Sequence, residues 1–301
     1  MNILKRLENK FKKNISSNKK LANYSWFNLG GPAEFFFKPE NTNQLIEFLK
    51  DNRKNKLKIT ILGAGSNTLV RDKGVKGVVI KLGPNFSNIK LLENEVIEVG
   101  AAALDRKISN FAKDNGIGNL EFLSCIPGSI GGAVIMNSGC YENDISKVLV
   151  SIKVVDIFKC KEKEIKSKDI NFFYRGTDLS KKFIITSVKI KGEAKSKEFI
   201  EKKQKELIEK KKLSQPSQIK TCGSTFKNFS KERKAWQLIQ EAGCHEFKEG
   251  DAQISKKHCN FFINNGKAKS ADIEKLIDKV KKTVTQKTGI NLELEIKIIG
   301  E

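Results

Sequence analysis

The sequence "CIPGSIGGAVIMNSGCY", residues 125–141, combines four glycines and a proline with many apolar side chains. Glycine is used where φ must be positive or where another group comes close to the backbone. A solvent-exposed loop would account for the glycines but not for apolar residues such as Ile130 and Val134, which favour burial. The stretch therefore predicts either tight internal packing or a buried backbone in contact with a ligand.

Within this stretch, Pro127, Gly128 and Ser129 precede an apolar run that extends to Asn137. This order predicts a loop that leads into a short buried helix. The N-terminus of a helix carries a partial positive charge and unpaired N–H groups, which favour a diphosphate.

A second glycine-rich stretch, "GAGSN" at residues 63–67, follows the β-type run "ITIL". A Rossmann fingerprint needs a helix to begin here, but Gly74 and Gly77 follow quickly and another strand is predicted from Val78. The N–H groups of such a turn could bind an anion, although an ordinary tight turn is the alternative. Two such loops together indicate a dinucleotide with a pyrophosphate and a bulky ring system.

The composition restricts the possible function classes. A chain of 301 residues predicts about two domains. Its net charge of +22 suggests nucleic-acid binding, but only six of the 57 basic residues are arginine, and no aromatic stripe accompanies the lysines. We therefore expect attraction for anionic small molecules rather than for nucleic acid.

The remaining composition predicts neither a membrane protein nor a metalloprotein. No apolar run approaches the ~20 residues of a membrane span, and the N-terminus does not resemble a signal peptide, so a cytoplasmic location is expected. The six cysteines are scattered without a Cys-x-x-Cys pair and only two histidines are present, so neither disulfides nor a metal site is expected.

The order of the predicted elements indicates an α+β fold. Strands are predicted at "LKITIL", "GVVIKL", "VIEVG", "VLVSIKVVDI" and "KFIITSVKIK", with one helix at residues 104–114. A domain boundary is placed near residue 194, before a helix that ends at Pro216. Helices at "KAWQLIQEAG" and at residues 270–287, a strand at "CNFFIN" and the alternating strand "NLELEIKII" follow.

Three polar residues are candidates for chemistry, each with a plainer alternative. Arg175 is a rare arginine in a lysine-rich chain, which suggests that planar guanidinium geometry matters there, but the sequence by itself favours the plainer alternative of a surface or core salt bridge. Ser224 follows a glycine, as many turn and N-cap serines do. Glu295 and Glu293 alternate with apolar residues, as on the solvated face of an edge strand.

These segments together resemble the UDP-N-acetylenolpyruvoylglucosamine reductase (MurB) family over nearly the whole chain. The resemblance is carried by "FNLGGPAEFF", "GAGSNTLV", "IPGSIGGAVIMNSGCY", "FFYRGT", "GSTFKN", "AWQLIQEAG", "DAQISKKHCNFFIN" and "LELEIKIIG", in the family's order. The interval between Arg175 and Ser224 matches the shorter subtype, which lacks an extra loop over the substrate. Phe229 and Trp26 depart from the family's usual residues.

The resemblance implies an FAD-binding domain of the vanillyl-alcohol-oxidase (PCMH) type and a C-terminal α/β substrate-binding domain. The expected layout is an N-terminal extension at residues 1–20, the FAD-binding domain at 21–193 with lobes at about 21–83 and 84–193, and the substrate-binding domain at 194–288. Residues 289–301 would form a final strand that returns to the first lobe. The implied FAD positions are Gly63, Ala64, Gly65, Ser66, Asn67, Pro127, Gly128, Ser129, Gly131, Gly132, Asn137 and Gly139.

The resemblance also implies an activity: NADPH reduces FAD, which then reduces the enolpyruvyl ether of UDP-N-acetylglucosamine in peptidoglycan precursor synthesis. Ser224 matches the family's proton donor, and Arg175 and Glu295 match the residues that stabilise the enolic intermediate. A monomer is expected. Two rivals remain at this stage, another PCMH-type flavin oxidoreductase and a basic nucleotide-binding or nucleic-acid-binding protein. The implied substrate contacts are Tyr174, Lys212, Lys227 and Asn228, with His258 and Asn260 as either functional or structural residues.

Overall fold

The computed structural model of the chain describes residues 3–179 and 182–301. Over this part, the helices are α1 (Ile3–Phe11), α2 (Thr42–Asn55), α3 (Asp105–Asp114), α4 (Ile130–Ile135), α5 (Lys197–Ser214), α6 (Ala235–Glu241) and α7 (Ser270–Thr288). None of the helices in these two ranges is both long enough and apolar enough to cross a membrane.

The strands of the same residues are mostly short. They are β1 (Ile15–Lys20), β2 (Pro32–Phe37), β3 (Ile59–Ile61), β4 (Thr68–Val70), β5 (Val75–Ile80), β6 (Ile89–Leu91), β7 (Val96–Gly100), β8 (Ile117–Gly118), β9 (Gly139–Cys140), β10 (Asn143–Asp144), β11 (Leu149–Asp156), β12 (Glu162–Lys166), β13 (Phe172–Phe173), β14 (Gly176–Thr177), β15 (Phe183–Lys191), β16 (Glu193–Ala194), β17 (Lys248–Glu249), β18 (Ala252–Ile254), β19 (Phe262–Asn264) and β20 (Lys297–Ile299).

The chain divides into two compact units. Unit 1 comprises Met1–Ser16, Phe36–Ala64 and Val78–Lys211, and unit 2 comprises Ser17–Phe35, Gly65–Gly77 and Lys212–Glu301. The layout expected from the sequence, with boundaries at residues 20, 193 and 288, follows function rather than compactness and stays a prediction.

Unit 1 is built on an antiparallel five-stranded sheet in the order β12-β11-β15-β7-β6. The predicted strands of this region are all present, because their β-branched residues alternate between a buried and a solvated face. Buried residues of β7, β11 and β15 pack with Ile108 and Ala112 of α3 and with Ile130 and Val134 of α4. The short buried helix predicted after Pro127, Gly128 and Ser129 is therefore present as α4, and the core fixes it in place.

Unit 2 is built around α7, which buries one stripe of apolar residues spaced three or four apart. This stripe packs with the core of the three-stranded antiparallel sheet β17-β18-β19 and with α6. Gly289 ends α7 in the left-handed conformation. The buried stripe comprises Ile273, Leu276, Ile277, Val280 and Val284.

The last strand of the chain is shorter than its alternating pattern predicts. Only Lys297–Ile299 forms β20, which pairs in parallel with β4 from Thr68 to Val70. The prediction that strand structure extends over Glu293 and Glu295 is wrong. These residues instead bond to an irregular segment, since the N–H of Lys227 donates to the carbonyl of Glu293 at 2.8 Å.

Candidate active site

The two glycine-rich stretches meet around Ser129 in unit 1. A methyl group added to Gly63 would come within 3.1 Å of Ser129 Oγ, and one added to Gly132 within 3.6 Å. Ser129 is buried, and the amide of Asp105 donates to the carbonyl of Gly128 at 3.1 Å. Bare backbone from two loops therefore faces one hydroxyl, which is the arrangement that a closely approaching pyrophosphate requires.

Other glycines of the two stretches are explained by packing. A Cβ on Gly131 would lie 3.0 Å from both the Cβ and the carbonyl oxygen of Ala101. In unit 2, Gly65 has φ +72°, and a Cβ there would overlap the carbonyl oxygen of Tyr24 at 1.8 Å. The two readings of the sequence, packing and ligand contact, therefore apply to different glycines.

Arg175 lies at the tip of a two-residue hairpin between β13 and β14. Its φ of 58° is unusual for a residue with a side chain, and such strain is often found at functional sites. Its Nη2 donates to the carbonyl of Gly139 at 3.2 Å, and its guanidinium lies 5.1 Å from the centroid of the Tyr174 ring. The orientation of the Arg175 side chain is therefore fixed by the backbone that follows α4.

The two strands of the hairpin are also bonded to the glycine-rich stretch at residues 125–141. Asn137 Nδ2 donates to the carbonyl of Phe173 at 3.5 Å, while Asn137 Oδ1 accepts from the N–H of Ser146 at 3.0 Å. Thr177 Oγ1 donates to the carbonyl of Ile135 at 3.2 Å. Asn137 and Gly139, both predicted to contact the cofactor, thus position the hairpin that carries Arg175.

In unit 2, Ser224 and Glu295 are brought close by the backbone. The N–H of Glu295 donates to the carbonyl of Thr225 at 2.9 Å, and Ser224 forms a bridge with Phe261 on its other side. Both side chains are half-buried. Because Gly223 has φ +78°, it permits the turn that leads into this segment. The structure therefore assembles a hydroxyl and a carboxyl that lie 71 positions apart in the sequence.

Asn260 fixes the segment after Ser224. Its Oδ1 accepts from the N–H of Phe226 at 2.9 Å, and its Nδ2 donates to the carbonyl of Phe226 at 2.8 Å. His258 Nδ1 accepts from the N–H of Asn260 at 3.2 Å, and burial lowers the pKa of this histidine. The His258 ring also packs edge-on against Phe261. Asn260 therefore holds this segment, and His258 contacts Asn260 and Phe261.

Known proteins match this chain over the segments described above. Residues 215–299 match the family described as "UDP-N-acetylenolpyruvoylglucosamine reductase, C-terminal domain", and residues 33–157 match an FAD binding domain. The chain is 47% identical over 302 aligned positions to the UDP-N-acetylenolpyruvoylglucosamine reductase of Pelagibacter ubique (strain HTCC1062), covering 98% of each chain. It is 41% identical to that of Orientia tsutsugamushi (strain Ikeda), covering 99% of this chain and 97% of the relative. The chain belongs to the UDP-N-acetylenolpyruvoylglucosamine reductase family.

A solved structure supports the same assignment. The crystal structure of this reductase (MurB) from Thermus caldophilus superposes with a TM-score of 0.81 at 30% identity, covering 95% of this chain and 98% of the other. The predicted fold class, an FAD-binding domain followed by a C-terminal reductase domain, is confirmed, as are the predictions of an oxidoreductase and of FAD as its cofactor. The arrangement of Gly63 and Gly132 around Ser129 fits that cofactor.

The substrate positions predicted for this reductase lie in different environments. Lys227 Nζ lies 3.3 Å from Glu293 Oε2 and is mostly covered. Asn228 Oδ1 accepts from the N–H of Ala235 and caps α6, while Tyr174 is about half exposed. Lys212 is exposed at the end of the lysine run.

Two lysines beside the glycine-rich stretches were not predicted as site residues. Lys211 Nζ donates to the carbonyl of Cys125 at 2.7 Å, and Lys81 Nζ donates to the carbonyl of Gly63. Burial lowers the pKa of both lysines. In a chain with 57 basic residues nothing in the sequence distinguishes these two, because only their burial makes them unusual.

Among the described residues, no group of three or more His, Cys, Asp or Glu side chains could hold a metal ion.

Proposed function

We propose that this protein reduces the enolpyruvyl ether of UDP-N-acetylglucosamine to the lactyl ether, UDP-N-acetylmuramate, with NADPH as the hydride donor. This reaction would supply a precursor of peptidoglycan and so serve cell-wall biogenesis, cell shape and cell division. The observation that carries the proposal is the hydrogen bond from Glu295 to Thr225, which brings a carboxyl residue beside Ser224. The names of the relatives from Pelagibacter and Orientia support it.

In this proposal Ser224 donates the proton. Addition of hydride to the methylene carbon of the substrate leaves negative charge on the neighbouring carbon, delocalised into the carboxylate as an enolate. A serine hydroxyl is a weak acid, but an enolate is a strong enough base to accept its proton when the donor is positioned. Such a donor contributes about 10²–10⁴-fold to the rate.

Arg175 and Glu295 stabilise the enolate. The guanidinium supplies positive charge and two parallel donors that match a carboxylate. Its hydrogen bond to Gly139 fixes the position of this charge before the reaction. A charge that is already in place stabilises the enolate without the cost of reorganisation. Glu295 holds a proton or orders a water near Ser224.

When bound, FAD would supply at its N5 the hydride chemistry that connects NADPH with the substrate. In the proposal each glycine-rich stretch holds the cofactor through its backbone, with Ser129 adding a hydroxyl. The proposed residues are Gly63, Ala64, Gly65, Ser66, Asn67, Pro127, Gly128, Ser129, Gly131, Gly132, Asn137 and Gly139. Gly65, Gly131 and Gly139 would act by shaping the backbone, because a Cβ on each would meet backbone or side-chain atoms of the protein.

The substrate is recognised through its charge and its sugar. Tyr174, Lys212, Lys227 and Asn228 are proposed to contact the diphosphate and the sugar. The net charge of +22 attracts an anionic nucleotide sugar at long range. We also propose a monomer that acts in the cytoplasm, where the six free cysteines would remain reduced.

The test follows both halves of the reaction on one sample. Anaerobic NADPH should bleach the yellow flavin of the purified protein, and the enolpyruvyl substrate should restore the colour. Bleaching without recolouring would leave a flavin oxidoreductase with a different substrate. A colourless protein that cannot be reconstituted with FAD would contradict the whole proposal.

A further inference from the structure

A lysine of unit 1 lies against the glycine-rich stretch at residues 63–67. Lys81 directly follows β5, and its Nζ donates to the carbonyl of Gly63, which lies two residues after β3. Strands β3 and β5 are parallel and their last pair is Ile61 with Ile80, so both strands end at one edge. The carboxyl ends of neighbouring parallel strands are a common place for a ligand. The fold therefore places an ammonium group where a bound molecule is expected.

Gly63 connects this lysine with the buried hydroxyl of Ser129. A Cβ on Gly63 would come within 3.1 Å of Ser129 Oγ, while the carbonyl of the same residue accepts the hydrogen bond from Lys81. Bare backbone, a hydroxyl and an ammonium group thus lie around one glycine. A lysine ammonium is a compact charge with several donors, which suits the oxygens of a phosphate.

The position of Lys81 disfavours a positive charge unless an anion is close. The N–H of Lys81 donates to the carbonyl of Phe37 at 3.0 Å, and Lys38 follows Phe37 directly, so the backbones of two lysines lie side by side. Burial and the charge of Lys38 both lower the pKa of Lys81. A neutral carbonyl such as that of Gly63 does not require a full charge as its donor. An anionic ligand would offset the cost of this arrangement.

We propose that Lys81 neutralises the diphosphate of bound FAD and so sets how tightly the flavin is held. The proposal rests on the cofactor positions of the proposed function and adds a charged side chain to them. Those positions are all glycine, alanine, serine, asparagine or proline, so none of them offsets the charge of two phosphates. FAD is the diphosphate concerned, because Gly63 and Ser129 are cofactor positions rather than substrate positions.

The experiment releases FAD from the holoenzyme by serial dilution and measures it by its fluorescence, with no NADPH or substrate present. Lys81→Met keeps the length of the side chain and loses its charge. It should raise the Kd for FAD by roughly 10–100-fold, as when a charge-assisted contact is lost. Lys81→Arg keeps the charge and should stay within about threefold of the wild type. Lys58→Met, at an exposed lysine directly before β3, is the matched control and should bind FAD normally.

Thermal melts separate a role in binding from a structural role. Without FAD, Lys81→Met should be at least as stable as the wild type, because the variant lacks a partly buried charge beside Lys38. The rise in Tm that added FAD produces should be smaller in Lys81→Met than in the wild type, since a weaker ligand stabilises less. If the flavin-free variant melted well below the wild type or failed to fold, Lys81 would be a structural residue and the proposal would be overturned.

Other results would also overturn the proposal. These are an equal Kd for FAD in Lys81→Met and the wild type, an equal rise in Lys58→Met, or a Lys81→Arg protein that binds FAD as weakly as Lys81→Met. An unchanged FAD affinity with a raised KM for NADPH or the enolpyruvyl substrate would assign the charge to another diphosphate. FAD binding does not depend on turnover. If FAD affinity followed these expectations but the protein never reduced the enolpyruvyl substrate, the proposed function alone would be contradicted.

Discussion

Asn67 and Glu295, 228 positions apart, are joined by a hydrogen bond from Asn67 Nδ2 to the backbone carbonyl of Glu295 at 3.1 Å. The N–H of Lys297 donates back to the carbonyl of Asn67 at 2.9 Å. The glycine-rich stretch before β4 therefore holds the end of the chain on both sides of Glu295. A residue proposed to contact the cofactor also sets the position of a residue proposed to stabilise the intermediate.

Asn67→Ala removes the donor that holds the Glu295 backbone. We expect a loss of about 1 kcal/mol in the free energy of unfolding, because one partly buried hydrogen bond disappears. Turnover of the substrate should fall about tenfold, while reduction of the flavin by NADPH persists. Urea unfolding and stopped-flow absorbance measure the two effects. Asn67→Asp, which also lacks the donor, should behave alike, and wild-type turnover in both variants would contradict the positioning role.

Ser224→Ala removes the proposed proton donor and little else, since the hydroxyl is half-buried and the backbone bonds of the segment remain. The variant should keep its yellow flavin and be reduced by NADPH. Reoxidation by the enolpyruvyl substrate should slow by about 10²–10⁴-fold. Ser217→Ala, at an exposed serine nearby, is the control and should reoxidise normally. Normal reoxidation in Ser224→Ala would remove the serine from the mechanism.

Arg175→Lys keeps the charge but loses the planar fork of donors. We expect substrate-dependent reoxidation of the flavin to fall by roughly 10²–10³-fold, as when a preorganised electrostatic group is lost. Thermal stability should stay within about 0.5 kcal/mol of the wild type, since the residue lies at a hairpin tip. Lys168→Arg, in the same unit, provides a control for basic-residue exchange. Equal rates in Arg175→Lys and the wild type would show that charge alone suffices.

Gly131 and Gly132 form a matched pair inside α4. Gly131→Ala would press a methyl group against Ala101 at 3.0 Å, so we expect a loss of about 1–3 kcal/mol in stability. Gly132→Ala has an ordinary contact at 3.6 Å to Ser129 Oγ and should preserve or raise stability, because alanine favours helix. Its flavin content should fall. Thermal melts measure the stability of the two variants, and the flavin-to-protein absorbance ratio measures their flavin content. If Gly131→Ala were the more stable of the two, the packing assignment of Gly131 would be contradicted.

Asp105 gives the stability a pH dependence. Its side chain is fully buried, neither carboxyl oxygen has a hydrogen-bond partner in the part of the chain that the structure describes, and burial raises its pKa well above the ordinary value. The folded state then binds the proton more tightly than the unfolded state. The free energy of unfolding from this group is therefore greatest at acid pH and falls as pH rises between the ordinary and the raised pKa, by about 1.4 kcal/mol per pH unit.

Asp105→Asn should remove that slope, and the variant should be more stable than the wild type at neutral pH. Urea unfolding at a series of pH values measures it. Asp278→Asn, at an exposed position of α7, should keep the wild-type slope. An unchanged slope in Asp105→Asn would show that Asp105 is solvated or paired in solution.

The sequence alone indicated most regular elements where periodicity was strong. The strand patterns that became β7, β11 and β15 and the helix pattern that became α7 were recognised because local burial dictates them. Helix α2 was missed, although Asn41 caps it by accepting the N–H of Gln44 at 2.9 Å, since its polar composition weakens the apolar periodicity. The predicted last strand is longer than β20, because the alternation of polar and apolar residues does not reveal which neighbouring strand is available for pairing.

Short motifs in a fixed order were enough to indicate the family, the FAD-binding class and the identities of the candidate residues. The folded structure was needed to show which glycines face Ser129 and which pack against backbone, since both roles need the same small residue. It also places Gly139 as the anchor of Arg175 and Asn67 as the residue that holds Glu295. Each of these relationships joins residues distant in the chain, and no local pattern records such a distance.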